Sequence, residues 1–480
     1  MNVRILVVAL VAWLAVLQGC VTNPVTGEKE FTLVSKAQEK ELGAEADPEI
    51  VAQYGLVDDP ALAAYVNELG QRLVGVSHTP NEQFTFRLLD DPIVNAFALP
   101  GGYCYLTRGI LAHLNSEAAM VGVLGHEVGH VTARHGANRM TNQLLLGGVL
   151  GIASSLGDDA ATLSSVAGAG LSLLLLKYSR DDERQSDSLG VKYGTALGYD
   201  THDMAEFFHT LQRLSGEGGF LPSFTSTHPD PGERFTTINQ LSAEAPQPGP
   251  SYVTNRDAYL RRLEGLIYGA DPRQGYVQSG QFNHPELRFR FPIPSGWLVA
   301  NGRSQVTLAT EQQDAAVIVQ ITNEASPQAA ADAFTKDAAI VEQERGQVNV
   351  PAGPGVRVLS QVKQQDGSTL AVVSTFVAYG GKVYAFHGLC EWGALATYRP
   401  TLESVADGFA QLTDAALINV TPTVLKIVET SQAAPFRDQV ADYPLPPRAD
   451  ADLERLALLN GVQVDTQIPA GRLLKVLVSR

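Results

Sequence analysis

The chain has 480 residues, more than one ordinary hydrophobic core accommodates, so two to four domains are expected. Its 45% hydrophobic and 18% charged residues are those of a folded protein. The formal charge of −16 excludes a broad nucleic-acid-binding surface, which would need clustered Lys and Arg.

The chain opens with "MNVR" and thirteen apolar residues from Ile5 to Leu17. That run is too short to span a bilayer comfortably and fits the core of a signal peptide. The "LQGC" that follows resembles a bacterial lipoprotein signal, which implies removal of residues 1–19 and lipidation of Cys20. An ordinary secretory peptide ending near a cysteine is the other reading. No Asp follows Cys20, which by the sorting rule of enteric bacteria points to the outer membrane. Cys104 and Cys390 fall in different predicted domains. Two separate buried thiols are expected there, with a disulfide left open.

Helical spacing marks "SKAQEKELGAEADPEI" and "PALAAYVNELGQRLVG", whereas "FTFRLLDD" and "YCYLTRGI" read as strands. The stretch "LNSEAAMVGVLGHEVGHVTARHG" predicts a helix with Ser116 as N-cap and Gly136 as its stop. On that helix His126 and His130 lie about 40° apart, one turn from each other, so both imidazoles reach one ion. Glu127 stands about 100° from His126 and looks toward an open coordination position. This is the HExxH arrangement, with two metal ligands and a base for the attacking water. His135 lies about 180° round the same helix from His126 and is expected to face away. Residues 144–176 are unusually apolar, but "GDDA" breaks them into pieces shorter than ordinary membrane spans. Two packed helices with a loop are expected there, the alternative being contact with a membrane or a membrane protein.

A third ligand must come from elsewhere, and "YSRDDERQSDSLGVKYG" offers Glu183 and Asp187 on one helical face. A gluzincin-type site needs such a pair: a Glu on the metal and an Asp that accepts a hydrogen bond from a ligand imidazole. The acidic, solvated end of a helix is the alternative reading of those residues alone. Farther on, "EAPQPGPSY" marks a domain edge and "DAYLRRLEGLIYG" a helical connector. Alternating strands then begin, interrupted by a helix over "SPQAAADAFTKDAAIVEQE". The tail "LERLALLNGVQVDTQIPAGRLLKVLV" resembles a degenerate LysM module.

Five motifs in order, "NPVTGEKEFTLVS", "VNAFALPGGYCYLTRGIL", "GHEVGHVTARH", "YSRDDERQSDSLG" and "STHPDPGER", resemble family forty-eight of the metallopeptidases, closest to its periplasmic BepA-type branch. The resemblance runs from Asn23 to Thr237. It implies one zinc ion held by His126, His130 and Glu183, with Glu127 as general base and Asp187 behind a ligand. It implies that the strand at Asn95, Ala96 and Phe97 binds extended substrate by β-addition. It also implies that His228 lies over the zinc, capping it in a latent state or stabilising the oxyanion in a working one. Arg234 would hold that loop or the substrate carbonyl. One departure is Ser186, where the family usually has Ala.

The expected fold class is α+β: a mainly helical metalloprotease domain with a small edge-strand sheet over 20–245, a helical linker over 246–281, an α+β domain over 282–412 and a LysM-like module over 413–480. The expected activity is zinc-dependent cleavage of misfolded or unassembled envelope polypeptides by a periplasmic protein anchored to the outer membrane through Cys20. Outer-membrane assembly machinery or peptidoglycan are the expected further partners, and no nucleic acid. The rival expectations are an assembly factor with a capped metal site and a cell-wall-binding protein.

Overall fold

The computed structural model describes residues 20–143, 178–216, 228, 231–245, 252–364, 367–449 and 451–480. The run Ile5–Leu17, expected as a signal-peptide core, and the apolar stretch 144–176 lie outside them. The chain divides into two compact units, Met1–Ala270 with Thr423–Arg480, and Asp271–Pro422. Among the described residues no helix is long and apolar enough to cross a membrane.

The first unit begins with the short strands β1 (Cys20–Thr22) and β2 (Lys29–Phe31), paired antiparallel. Helix α1 (Lys36–Tyr54) starts at a capping box of Ser35 and Gln38, and α2 (Pro60–Val76) at Asp59 with Pro60 in the first turn. Strands β3 (Thr85–Leu89), β4 (Ala96–Leu99) and β5 (Tyr103–Thr107) form a sheet in the order β3-β5-β4, which leaves β4 at an edge. The strand expected over "YCYLTRGI" stops at Thr107, because the Thr107 hydroxyl accepts from the Ile110 amide and so caps helix α3 (Arg108–His113).

Ser116 caps α4 (Glu117–Thr132) by accepting from the Ala119 amide. Helices α5 (Arg180–Ala196), α6 (His202–Gly216), α7 (Pro231–Glu244) and α8 (Arg256–Arg262) follow. Helices α4 and α5 meet at backbone distance: a Cβ on Gly125 would stand 3.1 Å from the Gly190 Cα, and one on Gly190 3.0 Å from the Gly122 carbonyl. Glycine at these positions lets two helices bring their side chains to one point.

The second unit holds β6 (Tyr276–Gln278), β7 (Gln281–His284), β8 (Phe289–Pro292), β9 (Leu298–Asn301), β10 (Gln305–Ala309) and β11 (Ala315–Thr322). After helix α9 (Pro327–Phe334) come β12 (Ile340–Val350), β13 (Gly353–Lys363), β14 (Thr369–Tyr379) and β15 (Lys382–Glu391), then helix α10 (Leu395–Asp407) and β16 (Ala410–Gln411). The larger sheet runs β12-β13-β14-β15-β11-β10-β9 and the smaller β16-β8-β7-β6. Helix α9 is shorter than its sequence pattern predicts. The β-branched pair Ile340 and Val341 already starts an antiparallel strand against β13. Phe282, Phe289, Phe291, Phe386 and Phe409 fill the core of this unit.

The tail contains β17 (Thr423–Glu429), α11 (Leu453–Leu459) and β18 (Leu473–Ser479), with β17 and β18 antiparallel. It is not a separate module. Leu456, Leu458, Leu459, Leu474, Val476 and Leu477 belong to the same buried cluster as Met120, Leu124 and Val128 of α4. Residues 413–422 remain with the second unit, and the connector read over 246–281 divides at Ala270. The physical reason is apolar area: six almost fully buried side chains in so short a segment need a partner surface. The fully buried Lys475 donates from Nζ to the carbonyls of Ala112 (2.7 Å) and Leu114 (3.0 Å), at the C-terminal end of α3. Burial pushes this amine well below the usual lysine range.

Candidate metal centre

The third and fourth turns of α4 carry His126 and His130, both buried, with their Nε2 atoms 2.9 Å apart. Helix α5, started by a capping box of Ser179 and Asp182, supplies Glu183 from its first turn and Asp187 one turn on. The Glu183 carboxylate lies 3.5 Å from His126 Nε2 and 3.4 Å from His130 Nε2. His228, just before α7, brings Nδ1 to 3.1 Å from Glu183 and 3.4 Å from His126 Nε2. One ligand atom from each of these four buried residues lies within 4.8 Å of all the others.

The far nitrogen of each imidazole meets an acceptor. His126 Nδ1 lies 2.9 Å from Asp187 Oδ1, and His228 Nε2 lies 3.2 Å from the Ala96 carbonyl. His130 Nδ1 lies 3.0 Å from His135 Nδ1. With an N–H on each of those outer atoms, the lone pairs of all three rings converge beside a carboxylate, an arrangement that repels itself unless a cation occupies the centre. Four donors at 2.0–2.1 Å from a tetrahedral ion would be spaced at about 3.3 Å. Five of the six separations, 2.9–3.5 Å, fit that spacing, and the sixth, between His130 and His228, lies within 4.8 Å.

Arg234 braces the acidic side. It donates to Asp187 from Nε (2.9 Å) and Nη2 (2.5 Å), lies 3.0 Å from Glu183 and stacks over the Phe208 ring. Although burial opposes it, His228 and Arg234 hold the Glu183 carboxyl well below the usual range. Burial holds His130 well below the usual imidazole range, in the neutral form that ligates. Burial also pushes the Glu127 carboxyl up. Glu127 is 1% exposed, its Oε1 lies 3.7 Å from His228, and its Oε2 has no hydrogen-bond partner among the described residues.

Strand β4 borders this cluster. The Asn95 carbonyl accepts from the Thr107 amide, so Asn95 and Phe97 face β5 and the alternate residues Ala96 and Ala98 face the other edge. Ala96 accepts from His228, and Ala98 from the Tyr178 hydroxyl at 3.4 Å. Of Asn95, Ala96 and Phe97, therefore, only Ala96 offers backbone groups to that edge. Phe97 packs its ring on Tyr105 instead, and Ala98 takes its place.

His135 is not turned away. Helix α4 ends at Thr132, and Arg134 takes a left-handed φ of 57°, so regular helical rotation does not carry beyond that point. A left-handed residue other than glycine costs roughly 1–2 kcal/mol. Here the buried Arg134 guanidinium holds the turn by donating to Glu39 and to the Val34 carbonyl. His135 is thereby brought back to His130, with its Nε2 2.8 Å from Gln185 Oε1 and its Nδ1 3.3 Å from the Ser186 hydroxyl. Tyr178 stacks on the His130 ring with centroids 3.9 Å apart. Sequence gave no signal for Tyr178 or Gln185 beyond their place beside Glu183. Cys104 and Cys390 are free, buried thiols.

Residues 60–242 match the family model described as Peptidase family M48. The chain is 31% identical over 223 residues to the putative beta-barrel assembly-enhancing protease of Vibrio cholerae, covering 44% of this chain and 46% of that protein. It is 27% identical over 293 residues to the beta-barrel assembly-enhancing protease of Escherichia coli K12, covering 59% and 57%. With the mitochondrial metalloendopeptidase OMA1 of Schizosaccharomyces pombe it shares 28% identity over 226 residues, covering 46% and 66%. The chain thus spans about half the length of the bacterial relatives it matches. The part of this chain that is similar to peptidase family M48, residues 60–242, carries all four converging residues, His126, His130, Glu183 and His228.

Proposed function

We propose that the chain is a zinc endopeptidase that cleaves misfolded or unassembled polypeptides of the bacterial envelope and is capped at rest by His228. The observation that carries this reading is the convergence of three imidazole lone pairs and one carboxylate, each ring having an acceptor for its outer N–H. Neutral imidazoles and a carboxylate at this spacing suit zinc. Bound there, zinc supplies Lewis-acid activation of water and of the scissile carbonyl. Glu127 takes the proton of the attacking water and passes it to the leaving amine. Substrate backbone adds to the edge of β4 at Ala96 and Ala98. His228 holds both the fourth donor position and the Ala96 carbonyl, so a substrate must displace it from both. Once displaced, its imidazole can face the developing oxyanion. Arg234 keeps Asp187 and Glu183 in place. Anchoring through Cys20 at the outer membrane, which rests on the lipoprotein-like "LQGC", and a place beside assembly machinery, which the names of the bacterial relatives favour, complete the proposal.

Closed sets of four protein donors are typical of structural zinc. The His228 contact therefore favours a second reading, an assembly factor with a permanently capped centre. Cleavage of an unfolded polypeptide by the purified chain separates the two. Glu127→Gln is expected to keep zinc and to lose about 10²–10⁴-fold in rate, and His228→Ala to gain activity. A fully active Glu127→Gln chain would sink the mechanism. Absence of any change in His228→Ala would favour the assembly factor.

A further inference from the structure

Helix α4 has two ligand histidines, and the atoms behind them differ. Behind His126 stands a carboxylate, Asp187, braced by Arg234. Behind His130 stands a neutral ring, His135. A metal on His130 Nε2 leaves the proton on Nδ1, and that proton needs an acceptor. The nitrogen facing it is His135 Nδ1, at 3.0 Å. His135 can accept there only if its own proton sits on Nε2, and Nε2 faces an acceptor, Gln185 Oε1, at 2.8 Å. Proton positions along Gln185, His135 and His130 are thus linked, each fixing the next. The chain begins on α5, two residues beyond Glu183, and passes through the left-handed turn at Arg134 back into α4.

We infer that His135 is a positioning residue for the metal centre: it accepts from His130 Nδ1–H, and Gln185 sets its tautomer, so that His130 Nε2 points at the ion. The inference rests on the metal-centre reading above. It assigns the Arg134 turn a task as well, since a helix continued past Thr132 would carry His135 away from His130. The Ser186 hydroxyl, 3.3 Å from the same His135 nitrogen, is a longer contact and leaves the His130 interaction the shorter of the two.

The test is zinc affinity of the full chain by chelator competition, together with the absorption spectrum of the cobalt-loaded protein. His135→Ala is expected to weaken zinc about 10- to 100-fold and to alter the cobalt bands. His135→Asn places an amide oxygen where Nδ1 stood and is expected to restore most of the affinity. Circular dichroism of the metal-free variants establishes that each is folded. Wild-type affinity in His135→Ala would overturn the inference, as would a folded His135→Asn chain no better than His135→Ala. A wild-type chain that takes up neither metal would overturn the metal-centre reading itself, a different result from either of these.

Discussion

The interior of the first unit contains whole ion pairs, Glu39 with Arg134 and the Asp187–Glu183 pair with Arg234, besides the carboxyl of Glu127 near His228 and the amine of Lys475. In the second unit the buried polar side chains among the described residues are Asn283, Thr310, Ser360, Ser374 and Thr375, with Asp271 at its first position the one that carries charge. Its ion pairs, such as Arg399 with Glu344 and Glu403, sit near the surface. Burying a charge costs several kcal/mol. A fold accepts that cost where chemistry or geometry depends on it, and the second unit, built on stacked phenylalanines, accepts almost none. The contrast separates a unit that holds a candidate metal centre from one shaped around its own packing.

The contrast can be broken at its strongest point first. Glu183→Ala removes a proposed ligand and leaves Arg234 short of a partner. Zinc affinity is expected to fall by more than the roughly 100-fold typical of residues behind a ligand, as read by chelator competition. Retention of tight zinc would mean that the buried charges here serve packing alone. Next comes Lys475→Met, which deprives the Ala112 and Leu114 carbonyls of their donor. A loss of about 1–3 kcal/mol per carbonyl is expected, measured by denaturant unfolding. An unchanged midpoint would show the buried amine to be replaceable by any apolar side chain. The smallest effect is expected of Arg399→Ala, at a half-exposed pair of the second unit: about 1 kcal/mol or less, with zinc content unaltered. A large loss there would erase the distinction between the two units.

His126, Glu127 and His130 were legible because helical spacing is local, and five residues fix which side chains share a face. Glu183 and Asp187 were legible as a second pair at the same spacing. Beyond those, legibility depended on where regular structure stops. His135 was misread because the helix was extended to Gly136, whereas the left-handed Arg134 interrupts it without a glycine at that position to announce the break. Which of Asn95, Ala96 and Phe97 turns its backbone to the free edge was not legible, because strand alternation needs a register, and that is set by pairing with Thr107, twelve residues away. The tail read as a module of its own because its apolar residues do not name their partner. Only the fold shows that they complete the core beneath α4.

That completion has a consequence in time. Lys475 follows Leu114, whose carbonyl it holds, by 361 residues. A chain made from its N-terminus therefore displays the whole HEVGH motif long before the strand that closes the core beneath it. A chain cut short during synthesis or export carries the motif without the support. The core beneath α4 therefore cannot close until the strand Leu473–Ser479 has been made.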